Sequence, residues 1–281
     1  MAPRIGRATS VWASQRRAVS EIRTTKADHI GIDTRSQGPL LFRLILGDNL
    51  LPVVTGVGIG NGSLNEQAVA AFSRLPDLEE LTLQYVGATD AVLEHIKDLK
   101  KLKKLWVLES TISDQALPYL QQLPNLETLS LQDSPITDDG LKHLIGMKQL
   151  RTLLLTGTKR SDRALESVGE LSNLEELSIE GKGITSDGME HLQRLTQLRR
   201  LELWSTQITD EGLVYLAGLT ELEELSIDSP RITGQGLGHL KGLQELVRLQ
   251  VSSRQISRKA IADLKEAIPN LRVLNMDGSV R

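Results

Sequence analysis

The 281-residue sequence contains no cysteine. That excludes disulfides, thiolate metal ligands and thiol nucleophiles together, and it fits a reducing compartment without requiring one. Aromatic residues are only 3% of the chain against 40% hydrophobic overall, so burial must come from many aliphatic contacts rather than a few large rings. Neither sign of charge prevails: 33 basic and 36 acidic side chains leave a net charge of -3, which gives no long-range case for nucleic acid or an anionic membrane. No apolar run reaches the roughly 18 residues needed to cross a bilayer. The nearest, PLLFRLILGDNLLPVV from Pro39 to Val54, is broken by Arg43, Asp48 and Asn49 and reads as a short buried helix beginning at Pro39 and ending at Gly47. Also missing are HExxH, GxSxG and a phosphate-binding Gly-Lys-Ser/Thr loop, so no catalytic residue is assigned and no enzyme is expected.

What is present is repetition. Taking Leu78 as position one, the pattern LxxLxL recurs from Leu102, Leu126, Leu150, Leu174, Leu198, Leu222 and Leu246, each 24 residues after the last. It recurs at Leu271 after one inserted residue, and 24 residues before Leu78 stand Val54, Val57 and Ile59 at the matching places. Ten units result, the first and last imperfect. Positions one, four and six are apolar throughout, and a second apolar series follows, as in Ile208, Leu213, Leu216 and Leu219. The period switches from two to about 3.6 within each unit, which predicts strand, turn and short helix. Ser or Thr at position twelve (Thr89, Ser113, Thr137, Ser161, Thr185, Thr209, Thr233, Ser257), often followed by Asp, reads as a helix start in which the hydroxyl accepts from orphan amides.

These residues resemble leucine-rich repeat proteins, as in LRRLELWSTQITDEGLVYLAGLTELEELSI. The closest resemblance is to the 24-residue ITDxGLxxLxxL subclass common in large bacterial families, notably of planctomycetes. It covers about Val54 onward, with QRRAVSEI and LILGDNLLPVV similar to the N-terminal cap of such proteins. The resemblance implies an α/β fold: a right-handed horseshoe solenoid, with a parallel β-sheet on the concave face and short helices on the convex face. Residues 1–53 then form an N-terminal tail and cap, and residues 54–281 a solenoid of about ten units. Two departures stand out. Position eleven, usually Ile, is Arg160, so that turn must open or let the arginine snorkel to solvent. At position nine, where the family ties its turns with Asn, Cys or a hydroxyl, Ser110, Ser134, Thr158 and Thr206 comply while Val86, Lys182, Pro230 and Arg254 do not.

Several features invite a site and are better explained by the repeat. GVGIGNG, Gly56 to Gly62, follows the strand register, with Val57 and Ile59 inward and Gly56, Gly58 and Gly60 outward; it reads as a strand of bare backbone open to a partner's close approach, not as a phosphate cradle. His95, His143, His191 and His239 share position eighteen but alternate units, which puts neighbours about 10 Å apart, too far for two imidazoles to ligate one ion. No metal and no cofactor are therefore assigned. Position two alternates in sign through Glu79, Lys103, Glu127, Arg151, Glu175, Arg199 and Glu223, and position three partly so; stacked in register, such columns attract.

Positions five and seven, which a leucine-rich repeat presents to ligands, are mostly small or polar. The exceptions are Trp106, Leu108, Leu154 and Trp204, joined by Tyr85 at a strand end. They are expected to form a discontinuous stripe across about five strands, on the order of 20 Å, bordered by Glu180, Glu202 and Asp228. Asn275 and Asp277 take these positions in the last unit. Tryptophan is the residue most enriched in interface hot spots. The sequence thus points to a non-catalytic scaffold binding an unidentified protein or peptide through its concave face, with no nucleic acid and no small-molecule cofactor. The alternative is a self-associating or envelope-anchored structural repeat, pairing through the sheet edge left after the strand Leu271 to Met276. As written the chain suits the cytoplasm; a missing upstream segment would make it membrane-anchored. The first 26 residues, with six basic and one acidic side chain, fit a targeting segment or a capping helix with Trp12, Val19 and Ile22 on one face.

Overall fold

The computed structural model describes residues 3–36, 52–157 and 159–274. The expected helix from Pro39 to Gly47, Thr158, Asn275, Asp277 and the side chain of Trp12 lie outside that description. The chain divides into two compact units, Met1–Thr128 and Leu129–Arg281.

The first unit opens with helix α1 (Pro3–Ile22) and strands β1 (Lys26–Ser36) and β2 (Pro52–Ser63), which pair antiparallel. The sheet is therefore not parallel throughout. The segment HIGID alternates Ile30 and Ile32 with His29, Gly31 and Asp33, a period of two, and pairs Gly31 with Gly58. Strands β3 (Glu80–Gln84) and β4 (Lys104–Leu108) follow in parallel. Helix α1 packs with Ala18 and Ile22 fully buried, and the buried Gln15 side chain accepts from the Val54 amide at 3.5 Å. Glu21 joins it to the first repeat through Arg74 and also pairs with Arg17; the Arg74 hydrogen bond chiefly holds its carboxyl below the ordinary range. The inward face of this helix carries Gln15, Ala18 and Ile22, while Val19 is only half-buried.

The second unit contains β5 (Thr128–Gln132), β6 (Thr152–Leu155), β7 (Glu176–Glu180), β8 (Arg200–Trp204), β9 (Glu224–Ile227), β10 (Arg248–Val251) and β11 (Arg272–Leu274). From β6 to β11 neighbours pair in parallel, residue to residue at a spacing of 24, as in Leu177 with Leu201 and Leu201 with Leu225. In both units the leucines of positions one, four and six are fully buried, Leu78, Leu81 and Leu83 or Leu198, Leu201 and Leu203 for example. Because strand side chains alternate, positions five and seven necessarily face the other way.

The last repeat differs from expectation. Its strand keeps the 24-residue register, with Leu249 beside Val273 and Gln250 beside Leu274, so Val273 is the core residue and Leu274 takes position five. The inserted residue lies before Leu271, whose turn to Ile268 stands 25 residues after that of Leu246 to Leu243, and the segment from Leu271 to the strand is one residue shorter, which restores the register. A slip of one residue exchanges the two faces of a strand, which is why counting from Leu271 puts Leu274 in the core instead of Val273.

The turns are tied between repeats as well as within them. Half of the hydroxyls at position twelve do not cap their own helices: Thr89, Ser113, Thr137 and Thr209 accept no such bond, while Ser161 and Ser257 do, and Thr185 and Thr233 accept from the amide two residues on. Ser113, Ser161, Thr185 and Thr233 each meet the aspartate at position thirteen of the preceding repeat, which accepts from both amide and hydroxyl. Asp90 receives Ser113 at 2.6 and 2.7 Å, Asp162 receives Thr185 at 2.8 and 2.7 Å, and Asp210 receives Thr233 at 2.7 and 2.5 Å. Gly188 and Gly236, at position fifteen, lie against the same carboxylates, and a Cβ on either would collide with Asp162 or Asp210. Between Thr185 and Thr209 a serine, Ser186, substitutes for the aspartate and bonds Thr209. The helices that follow are short and often 3-10, as at Asp114–Gln122 and Gly188–Arg194.

Strand ends are left-handed at position eight in six repeats: Asn61, Tyr85, Glu109, Asp133 and Ser205 have φ of 51, 55, 49, 53 and 52°, and Gly157 has φ of 80°. Where position nine is Pro230 or Arg254, the tie expected there comes one residue earlier, from Ser229 to the Ile208 carbonyl at 2.7 Å and from Ser253 to the Ile232 carbonyl at 2.5 Å. Arg160 does not snorkel. It is 2% exposed and donates through Nη1 to the Ile136 carbonyl, while Gly183 of the next repeat lies so close that a Cβ there would be 2.9 Å from the Arg160 oxygen.

Candidate protein-binding face

The face of positions five and seven is bounded by the charge columns. In the first unit Lys103 pairs with Glu79 at 3.0 Å and Lys104 with Glu80 at 2.9 Å. In the second, Arg151 pairs with Glu175 and Arg199 with Glu223, and Arg200 lies 3.2 Å from Glu176 and 3.3 Å from Glu224, which also meets Arg248 at 3.3 Å. Opposite charges stacked one strand apart satisfy one another, so these columns belong to the scaffold. All are exposed or half-exposed, so each pair contributes at most about 1 kcal/mol.

Within the first unit, Trp106 stands beside Thr82 and Leu108 beside Gln84, with Tyr85 at the end of β3. Trp106 and Leu108 are half-buried against the sheet, and Tyr85 is 48% exposed. Toward the sheet edge the row of Thr82 continues through Gly58 to Gly31. Nothing stands within 4 Å of a Cβ placed on Gly58, whereas the Asp33 side chain covers Gly56. The open backbone expected over all three glycines is thus narrowed by β1 to Gly58 and Gly60, where a Cβ would meet at most His29 Cβ at 4.0 Å.

Within the second unit, the row at position five runs Leu154, Ser178, Glu202, Ser226, Gln250 and Leu274, and Glu180 stands beside Trp204 at position seven. Leu154 and Trp204 are half-buried and two strands apart, so they form no continuous apolar surface of their own. The indole of Trp204 is pinned: its Nε1 donates to Ser178 Oγ and to Glu202 Oε2, both at 3.3 Å. Glu202 also accepts from Ser178 at 2.9 Å, Glu180 accepts from the Gly157 amide at 2.9 Å and from Ser205 Oγ at 3.2 Å, and Asp228 accepts from the Ser205 amide at 3.2 Å. All three carboxylates therefore rest on neutral donors, and one of them, Glu202, also holds the indole.

The exposed apolar side chains of the second unit lie elsewhere: Ile145, Val214 and Val247 are 43, 48 and 47% exposed. Val247 falls at position two, where the alternation of charge ends. Of the aligned histidines, His95 and His191 are half-buried and His143 and His239 exposed. Among the described residues, no group of three or more His, Asp or Glu side chains has an arrangement suited to a metal ion. Nor does any helix there have the length and apolarity to cross a membrane.

Parallel strands at a 24-residue spacing, buried leucines at fixed positions and short helices between them decide the architecture, and a family model described as Leucine Rich repeat matches residues 122–144 and 194–217. The fold is that of a leucine-rich repeat. Among solved structures, an internalin (inlF) of Listeria monocytogenes is similar at a TM-score of 0.57 and 24% identity, over 83% of this chain and 73% of that one. An internalin C2 of the same organism is similar at 0.56 and 24% identity, over 74% of this chain and 84% of that one. No curated protein matches the chain. A leucine-rich repeat of this kind holds its core and turns with the regular positions, leaving positions five and seven free to vary.

Proposed function

We propose that this leucine-rich repeat chain is a non-catalytic scaffold that binds a protein or peptide across its concave face. Trp106, Leu108 and Tyr85 supply the contact in the first unit; Leu154 and Trp204, with Glu180, Glu202 and Asp228, supply it in the second. The observation that carries the reading is the placement of both tryptophans on the strand face that the core does not use, where most neighbouring side chains are small or polar. Stacked repeats provide an extended rigid surface for such contacts, and a buried central tryptophan typically contributes about 2 kcal/mol or more to binding. Similarity to the internalins supports the scaffold through the fold alone.

The experiment is affinity capture from the native host with the wild-type chain and the Trp106→Ala, Trp204→Ala double variant, its folding verified by circular dichroism. A partner retained by the wild type and lost from the variant is expected. A partner held equally by both would sink the concave-face assignment.

A further inference from the structure

The proposed function leaves open what kind of partner the second unit would take, and the charge pattern around Trp204 answers that question. We infer that this face takes an extended cationic segment, with an arginine guanidinium stacked on the Trp204 indole and its neighbours paired to Glu180, Glu202 and Asp228. The inference rests on the concave-face reading above.

Two independent observations combine. The first is the indole itself: both partners of its Nε1 lie on the sheet, one on β7 and one on β8, so the ring is held in place before any ligand arrives. A fixed aromatic plane attracts a cation through its quadrupole, and a guanidinium can stack on it while directing its N–H groups to carboxylates at the side. The second is charge complementarity. On the neighbouring column every described carboxylate meets a cation: Glu176 and Glu224 share Arg200, and Glu224 also meets Arg248. Positions five and seven of the second unit carry three carboxylates and, among the described residues, no lysine or arginine. The hydrogen bonds that Glu180, Glu202 and Asp228 make come from hydroxyls, backbone amides and an indole N–H, which orient the carboxylates without neutralising them. An anionic or neutral apolar partner would leave these charges desolvated and unpaired, a costly arrangement; a cationic one completes them. Glu180 and Trp204 end β7 and β8 and Asp228 directly follows β9, so the three stand at the ends of successive strands, about 10 Å across, the span of roughly three residues of extended chain.

The test uses the full chain and three synthetic decapeptides alternating Arg, Lys or Glu with Ser, titrated by calorimetry at low and high salt. The arginine peptide should bind, weaken at least about tenfold with Trp204→Ala or with the isosteric triple variant Glu180→Gln, Glu202→Gln, Asp228→Asn, and weaken as salt rises. Glu166→Gln, Glu211→Gln, Glu221→Gln, which removes three exposed charges elsewhere in the same unit, should leave affinity within about twofold. Three results would overturn the inference: equal loss with the remote triple, equal affinity for the lysine peptide, or no preference over the glutamate peptide. If the captured partner is lost from the tryptophan double variant while the arginine peptide fails to bind, the concave-face reading stands and only the cationic selection falls. If capture is unaffected by the double variant, the broader reading falls whatever the peptides do.

Discussion

At the scale of single residues, the strand ends show where the repeat imposes a conformation that the side chain does not favour. Asn61, Asp133 and Gly157 suit a left-handed backbone, but Glu109 holds φ of 49° and Tyr85 φ of 55°. For an ordinary L-residue that conformation costs roughly 1–2 kcal/mol, and glycine avoids it while losing about 0.5–1 kcal/mol through the freedom of the unfolded chain. Glu109→Gly should therefore raise stability by up to about 1 kcal/mol in urea unfolding. A loss of stability would mean that the Glu109 side chain has a role the turn geometry does not account for. Tyr85, by contrast, combines the same backbone with a half-exposed ring, so the strain there coincides with a proposed contact.

At the scale of the repeat element, the ITDxGL motif joins two units. Its Asp and its Gly are partners across a boundary: Asp162 of one repeat accepts from Thr185 and lies against Gly188 of the next. Asp162→Ala should cost about 1–3 kcal/mol by removing the acceptor of the Thr185 amide and hydroxyl. Gly188→Ala should also destabilise, but less in the Asp162→Ala background, because the colliding carboxylate is gone. A double-mutant cycle by thermal unfolding measures that coupling, and strict additivity would contradict it. Ala116 and Ala164 fill the corresponding position beside Asp90 and Asp138, so the glycine is demanded by the local path of the helix and not by the aspartate alone. None of this was legible from the motif read within a single repeat, where the hydroxyl looked like a cap for its own helix.

At the scale of the whole molecule, each repeat's core is completed by its neighbours, so damage should remain local. Leu177→Ala, at a fully buried position, should cost about 2–5 kcal/mol. Its effect on native-state amide exchange should concentrate in β6, β7 and β8, leaving β2 and β3 close to wild type. Uniform acceleration in all strands would argue against nearest-neighbour coupling. The pattern matters for function as well: positions five and seven can change without disturbing the leucines beneath them, which is what allows a repetitive chain to carry a specific surface.

The sequence by itself determined the period, the strand–helix alternation, the buried leucines and the pairing of the charge columns, because each depends on spacing along one chain or on residues brought into line by a constant repeat. It also identified Trp106 and Trp204 as residues that the core does not need. The tertiary structure decided the antiparallel β1, the register of β11, the burial of Arg160, the hydroxyls that act from position eight and the aspartate ladder. Each of these is set by a partner distant along the chain or by a side chain's access to solvent. The grip on the Trp204 indole is of the same kind: its donor lies on β8, but one of its two acceptors stands on the neighbouring strand.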